Sequence, residues 1–201
     1  MRRCLGLLAL LLFFSLPAKA QLTPKYEVSG GFEYVSFVPE SGATRLNMFG
    51  WNANGVYNVF HWIGGAVETT GTYNTQSSSN KAIDGTSTHI YTFMAGPRFY
   101  PLGHRKLTLF GQVLFGGGHI SEAVPAVPPF PAATLTDTEL TWSSGIGLDY
   151  RWRENWAFRL NIEYLQTRFF NATNGDQGSE RATFGIVYRW GVAGTRRKKI
   201  R

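Results

Sequence analysis

Nine charged residues of this chain lie in stretches where polar and apolar residues alternate. They are Glu27, Glu33, Glu68, Arg98, Asp149, Arg151, Arg159, Glu163 and Arg189. On a strand, residues two apart share a face. Carboxylates and guanidiniums on the polar faces of neighbouring strands would therefore meet in one interior, where buried charges must pair and hydrogen-bond. Such a set can work in two ways. A fixed ion-pair network fills space, whereas one whose partners exchange opens a narrow water path. A separate candidate is His119-Ile120-Ser121. His and Ser two apart share a face, as a Ser–His nucleophile requires, and Glu122 or Glu139 would be the orienting carboxylate. The preceding Gly116-Gly117-Gly118 predicts a bulge, so the register decides which face the pair takes. Such a pair is common by chance, and no wider enzyme signature surrounds it. His61, His89 and His104 are scattered, with no second ligand at metal spacing, so no metal site and no cofactor is expected.

These side chains need strands to position them. The clearest alternation runs from Leu140 to Trp152. Leu140, Trp142, Ile146, Leu148, Tyr150 and Trp152 share one face, and Thr141, Ser143, Gly145, Gly147, Asp149 and Arg151 the other. Trp156 to Tyr164 and Ala182 to Trp190 repeat the pattern, as does the stretch from Tyr26. Eight such segments are predicted, at 26–37, 46–60, 63–73, 87–100, 107–121, 138–152, 156–169 and 181–191. Segments of about ten residues with period two suit a tilted membrane-spanning strand.

The connections alternate as well. Short ones lie at 60–62, 101–106 and 153–155, and long polar or Pro-rich ones at 38–45, 74–86, 122–137 and 170–180. An up-and-down meander with short turns at one end and long loops at the other follows. Alternation alone does not say which face is inside, since a soluble barrel with apolar residues inward shows the same period. Charges midway along the polar faces favour the membrane arrangement. So does an aromatic girdle of Trp62, Tyr100, Tyr150, Trp152, Trp156, Tyr188 and Trp190 at strand ends.

The charge balance has a location. The chain has 201 residues, 20 Lys+Arg and 13 Asp+Glu, for a formal net charge of +7. Arg2 and Arg3 precede the apolar run Leu5–Phe14 and an Ala18-Lys19-Ala20 cleavage pattern, so 1–20 reads as a secretory signal peptide. Residues 192–201 form a basic tail, read as periplasmic and able to touch anionic headgroups. Residues 21–191 then hold 12 basic and 13 acidic residues. A near-neutral body without a basic stripe excludes nucleic acid as the expected partner. The single cysteine, Cys4, falls in the signal, which excludes disulfide and zinc-thiolate chemistry from 21–191.

The last strand carries a recognisable phrase. Thr183-Phe184-Gly185-Ile186-Val187-Tyr188-Arg189-Trp190 resembles the C-terminal assembly signal of bacterial outer-membrane barrels, with Gly185, Tyr188 and Trp190 as its marked positions. Residues 26–191 as a whole resemble the OmpA-type transmembrane domain and small OmpX-like barrels. Gly50-Trp51-Asn52, Gly96-Pro97-Arg98-Phe99 and Tyr164-Leu165-Gln166-Thr167-Arg168-Phe169 are further phrases of that kind. The resemblance implies an all-β fold, an eight-stranded antiparallel up-and-down transmembrane β-barrel over 21–191 in the cell outer membrane. It also implies outer-membrane lipids and lipopolysaccharide as surroundings, and the barrel insertion machinery as a partner during assembly. The expected role is structural or surface-interacting, without catalysis, with the lumen plugged by ion pairs and loop 122–137 open to an extracellular partner. A narrow gated pore and a lipid A-modifying enzyme are the alternatives.

Overall fold

The computed structural model describes residues 23–37, 46–75, 86–102, 106–126, 131–171 and 177–193. The expected signal peptide and the tail beyond residue 193 lie outside them. Eight strands follow in chain order: β1 (Tyr26–Phe37), β2 (Leu46–Asn58), β3 (Ile63–Thr75), β4 (Ser87–Phe99), β5 (Leu107–Val124), β6 (Ala133–Arg151), β7 (Trp156–Thr167) and β8 (Gln177–Trp190). Each pairs antiparallel with its sequence neighbour, and β1 pairs with β8 to close the barrel. Closure leaves no strand edge in lipid, the one arrangement that lets a membrane sheet satisfy its backbone.

Alternation creates the two faces. From Trp156 to Thr167 the odd residues of β7 turn inward, and the even ones stay exposed as far as Tyr164. The closing seam depends on two glycines facing each other in register, Gly31 and Gly185. A Cβ on Gly31 would lie 2.2 Å from the Phe184 carbonyl oxygen, and one on Gly185 would lie 2.4 Å from the Gly30 oxygen. Only hydrogen fits there.

Four strands exceed their expected bounds: β3 by two residues to Thr75, β8 by four at its start, and β5 and β6 together. β5 reaches Val124 and β6 begins at Ala133, paired without a break from Val124↔Ala133 down to Leu107↔Tyr150. Of the segment 122–137, expected as a long loop, 122–124 and 133–137 are therefore strand. Alternation missed it because Ala133 to Thr136 are exposed on both faces. No buried face imposes period two there. The backbone ladder and the β-branched Thr134, Thr136 and Thr138 hold it instead. The register through Gly116–Gly118 is also unbroken, so the expected bulge is absent.

The outer surface carries two aromatic belts. Trp62, Tyr150, Trp152, Trp156, Tyr188 and Trp190 are exposed at the end that holds the short turns. Tyr188 and Trp156 approach to 4.9 Å between ring centroids, and Trp190 stacks on Tyr26 at 5.5 Å. Tyr100 leaves this girdle: it lies just past β4 and is fully buried in the lumen. A second belt circles the other end. There Trp51 Nε1 donates to the Tyr73 hydroxyl at 3.2 Å, Tyr73 meets Tyr91 edge-on, and Trp142 packs on Tyr164. The eight-residue step from Trp142 to Tyr150 rises roughly 20 Å along the axis, near the apolar band of about 25 Å that a bilayer requires.

Candidate functional site

An eight-stranded barrel is just wide enough for side chains to fill it. Here the filling is layered. Nearest the short turns lies a compact ion cluster. Arg159 of β7 donates from Nε and Nη2 to the two oxygens of Asp149 on β6, both at 2.8 Å. Its Nη2 also reaches Glu27 Oε2 on β1 at 2.9 Å. Arg189 of β8 bonds Asp149 Oδ2 and lies 3.6 Å from Glu27 Oε1. Asn58 Nδ2 and the Tyr100 hydroxyl donate to Glu27 Oε1 at 3.1 and 3.3 Å. Two carboxylates thus face two guanidiniums, with neutral donors completing the shell.

The next layer is held by one guanidinium. Arg181 of β8 bonds both Glu68 of β3 and Glu163 of β7 through Nη2, and its Nη1 stands 3.9 Å from Glu33 of β1. Amides share out the remaining carboxylate oxygens. Asn52 Nδ2 donates to Glu33 at 3.3 Å, Asn161 Nδ2 to Glu163 at 2.8 Å, and Gln112 Nε2 to Glu163 and Glu68.

Arg98 of β4 lies between the layers and is held by amides. Its Nε donates to Gln112 Oε1 at 2.8 Å and its Nη2 to Asn54 Oδ1 at 3.0 Å. Phe110 of β5 packs against both this guanidinium and that of Arg159, which also donates to Asn54 Oδ1, at 3.4 Å. The Arg98 guanidinium carbon is 4.4 Å from the ring centroid and that of Arg159 is 4.7 Å from it. Each cation rests on a negative ring face. The ring fits because its partner across the ladder is Gly147, where a Cβ would come within 2.1 Å of Phe110 Cζ.

Above these charges the lumen turns apolar. Val35, Phe37, Met48, Ile90, Ile120 and Phe169 form one buried cluster at the end that carries the long connections. These residues sit at inward positions where a polar face would be expected. Phe169 belongs to a short 3₁₀ turn (Phe169–Asn171) that folds onto β6, where Asp137 accepts the Phe170 N–H.

Eight of the nine charges with which the sequence analysis began lie together in this interior. Arg151 does not join them: at the end of β6 it is only half-buried. Arg181 was missing from that set, although it alternates on the polar face of the last strand. Phe110 gave no signal, because an apolar residue on an inward register looks like noise in the pattern. His119 and Ser121 share a face, but it is the outer one. His119 is exposed and its Nδ1 lies 2.7 Å from Thr138 Oγ1. Glu122 follows Ser121 on the opposite face, and Glu139 pairs with the buried Gly118 on the inner side. The barrel wall therefore separates the pair from both carboxylates. His61 is exposed in the β2–β3 turn, His89 stands edge-on to Tyr73, and His104 lies outside the described residues.

Comparison with known proteins agrees with this geometry. The attachment invasion locus protein Ail of Yersinia pestis, solved in complex with the heparin analogue sucrose octasulfate, shares 20% identity with a TM-score of 0.60, over 84% of this chain and 100% of that one. Neisserial surface protein A shares 12% identity with a TM-score of 0.58, over 83% and 97%. OprG of Pseudomonas aeruginosa shares 12% with a TM-score of 0.51, over 86% and 98%. No curated protein matches the chain. Residues 6–189 match the family described as outer membrane protein beta-barrel domain. The chain belongs to that family, and its place is the outer membrane.

Proposed function

We propose that this barrel is a structural or surface-interaction protein whose lumen is closed, and that it performs no catalysis. The observation that carries the reading is the double closure of the interior. A nearly neutral set of five carboxylates and four guanidiniums is buried below, and an apolar cluster is buried above. Water would have to cross both. Refolded protein in planar bilayers should show no sustained conductance, and steady unit steps from the unaltered chain would overturn the reading.

One observation favours the narrow gated pore as a second reading. Arg181 has a third carboxylate, Glu33, within 3.9 Å of a nitrogen that is not committed to Glu68 or Glu163. Exchange between these partners would be a gate. Glu163→Gln or Arg159→Ala should then change single-channel conductance, and unchanged traces from both remove this reading.

The surface role falls to the extended β5–β6 hairpin, whose described residues 124–126 and 131–136 run past the pairing with β4 and β7. Segments 38–45, 74–86, 122–137 and 170–180 together hold six carboxylates and two basic side chains. A sulfated polyanion like the one bound to Ail is a poor match for that charge. A basic or neutral extracellular partner fits better. Lipopolysaccharide and the insertion machinery complete the proposed set of contacts, the latter through Gly185, Tyr188 and Trp190.

A further inference from the structure

On the outer wall, beside the β6–β7 turn, Trp152, Arg153, Trp156, Ala157, Phe158 and Ile186 line a groove of about 240 Å³. The Arg153 guanidinium carbon lies over the Trp152 ring at 4.8 Å, and Trp152 stacks on Phe158 at 5.9 Å. The groove is preformed. Trp152 N–H and Arg153 N–H both donate to the Trp156 carbonyl, at 3.0 and 3.1 Å. Asn155 ties the turn to β8, donating from Nδ2 to the Arg189 carbonyl at 2.7 Å and accepting the Arg189 N–H at 2.8 Å. Two other depressions, over Gly55 and over Gly111, have no exposed cation in their walls.

The placement selects the occupant. This end holds the short turns and both termini of the barrel, so it faces the periplasmic leaflet. A groove with apolar walls at the depth of an aromatic belt accepts an acyl chain. A guanidinium at its water-facing rim takes a phosphate bidentately. Lys25 over Tyr26 and Lys106 over Tyr150 add positive charge at the same level. Glu154 is the carboxylate on the β6–β7 turn itself. We infer that this groove is a specific seat for one anionic phospholipid of the periplasmic leaflet, its acyl chain between Trp156, Phe158 and Ile186 and its phosphate on Arg153.

Native mass spectrometry of the full chain released from detergent tests this, with phosphatidylglycerol and phosphatidylcholine of matched chains offered at equal concentration. The unaltered protein should retain one phosphatidylglycerol with a preference of about fivefold or more, the size of effect expected of one cation at an anionic surface. Arg153→Gln should bring the two lipids to parity, and Ile186→Trp, which fills the groove but leaves the cation, should lower retention of both. Inorganic phosphate in excess should leave the bound lipid in place. Equal retention by the unaltered chain, or full preference in Arg153→Gln, overturns the seat. So does unchanged binding in Ile186→Trp, which leaves Arg153 in place. Displacement by phosphate alone would mean that an ion is recognised and not a lipid. A dimer mass that Ile186→Trp abolishes would mean that a second copy covers the groove. Either result also overturns the proposal.

Discussion

The charged layers of the lumen and its apolar outer mouth close the same tube by different physics. In the charged part, closure comes from directional bonds. Asp149 bonds both Arg159 and Arg189, and Arg181 bonds Glu68 and Glu163. At the mouth it comes from the volume of Val35, Phe37, Met48, Ile90, Ile120 and Phe169. The difference has consequences. A buried charge left without its partner is penalised strongly, while a lost methyl group leaves a cavity that neighbours partly refill. The charged layers therefore fix one arrangement of strands, and the mouth tolerates repacking.

The largest effect should come from Asp149→Ala. It removes the carboxylate that two guanidiniums share, and should cost about 4 kcal/mol of folding free energy. Urea titration of the refolded barrel in lipid vesicles, read by gel mobility without boiling, measures it. Met48→Ala at the mouth should cost about 3 kcal/mol, through a cavity alone. That loss should be the same at low and high salt, and a strong salt dependence would erase the distinction between the two regions. Glu33→Gln should cost only about 1 kcal/mol in the same assay, because the nitrogen facing Glu33 is 3.9 Å away and Arg181 keeps two closer partners. A loss as large as that of Asp149→Ala would show that the upper layer is as rigid as the lower. His119→Ala, outside both regions, should change stability by no more than about 0.5 kcal/mol. It should also leave lipid A composition, read by mass spectrometry, unaltered.

The fold was legible in the sequence wherever a strand separates two different environments. β7 and the lower part of β6 alternate cleanly because one face meets lipid and the other meets the charged interior. The same reading failed where that contrast ends. Ala133 to Thr136 are exposed on both faces, so the hairpin beyond the bilayer left no periodic trace. At the outer mouth, Met48, Ile90 and Ile120 face inward as apolar residues, and polarity no longer marks the inside. Tyr100 was misplaced for a related reason. An aromatic at a strand end reads as interfacial, but the register past Phe99 turns this one inward toward Glu27.

The sequence by itself determined the number of strands, the faces of most of them, the meander that joins them and the address of the net charge. All of these are local: they follow from a two-residue period and from what lies between one strand and the next. Only the tertiary structure decided which charges meet. Glu27 and Arg159 are 132 positions apart, and Glu68 and Arg181 are 113 apart. Nothing along the chain relates them. They come together because closure brings β8 back beside β1, and because the stagger of eight tilted strands sets the height at which each inward side chain enters the lumen. The barrel's register also placed Phe110 beside two guanidiniums and put His119 on the wall opposite its supposed carboxylates. Alternation supplies the inward set, and the closed ladder of hydrogen bonds chooses the partners within it.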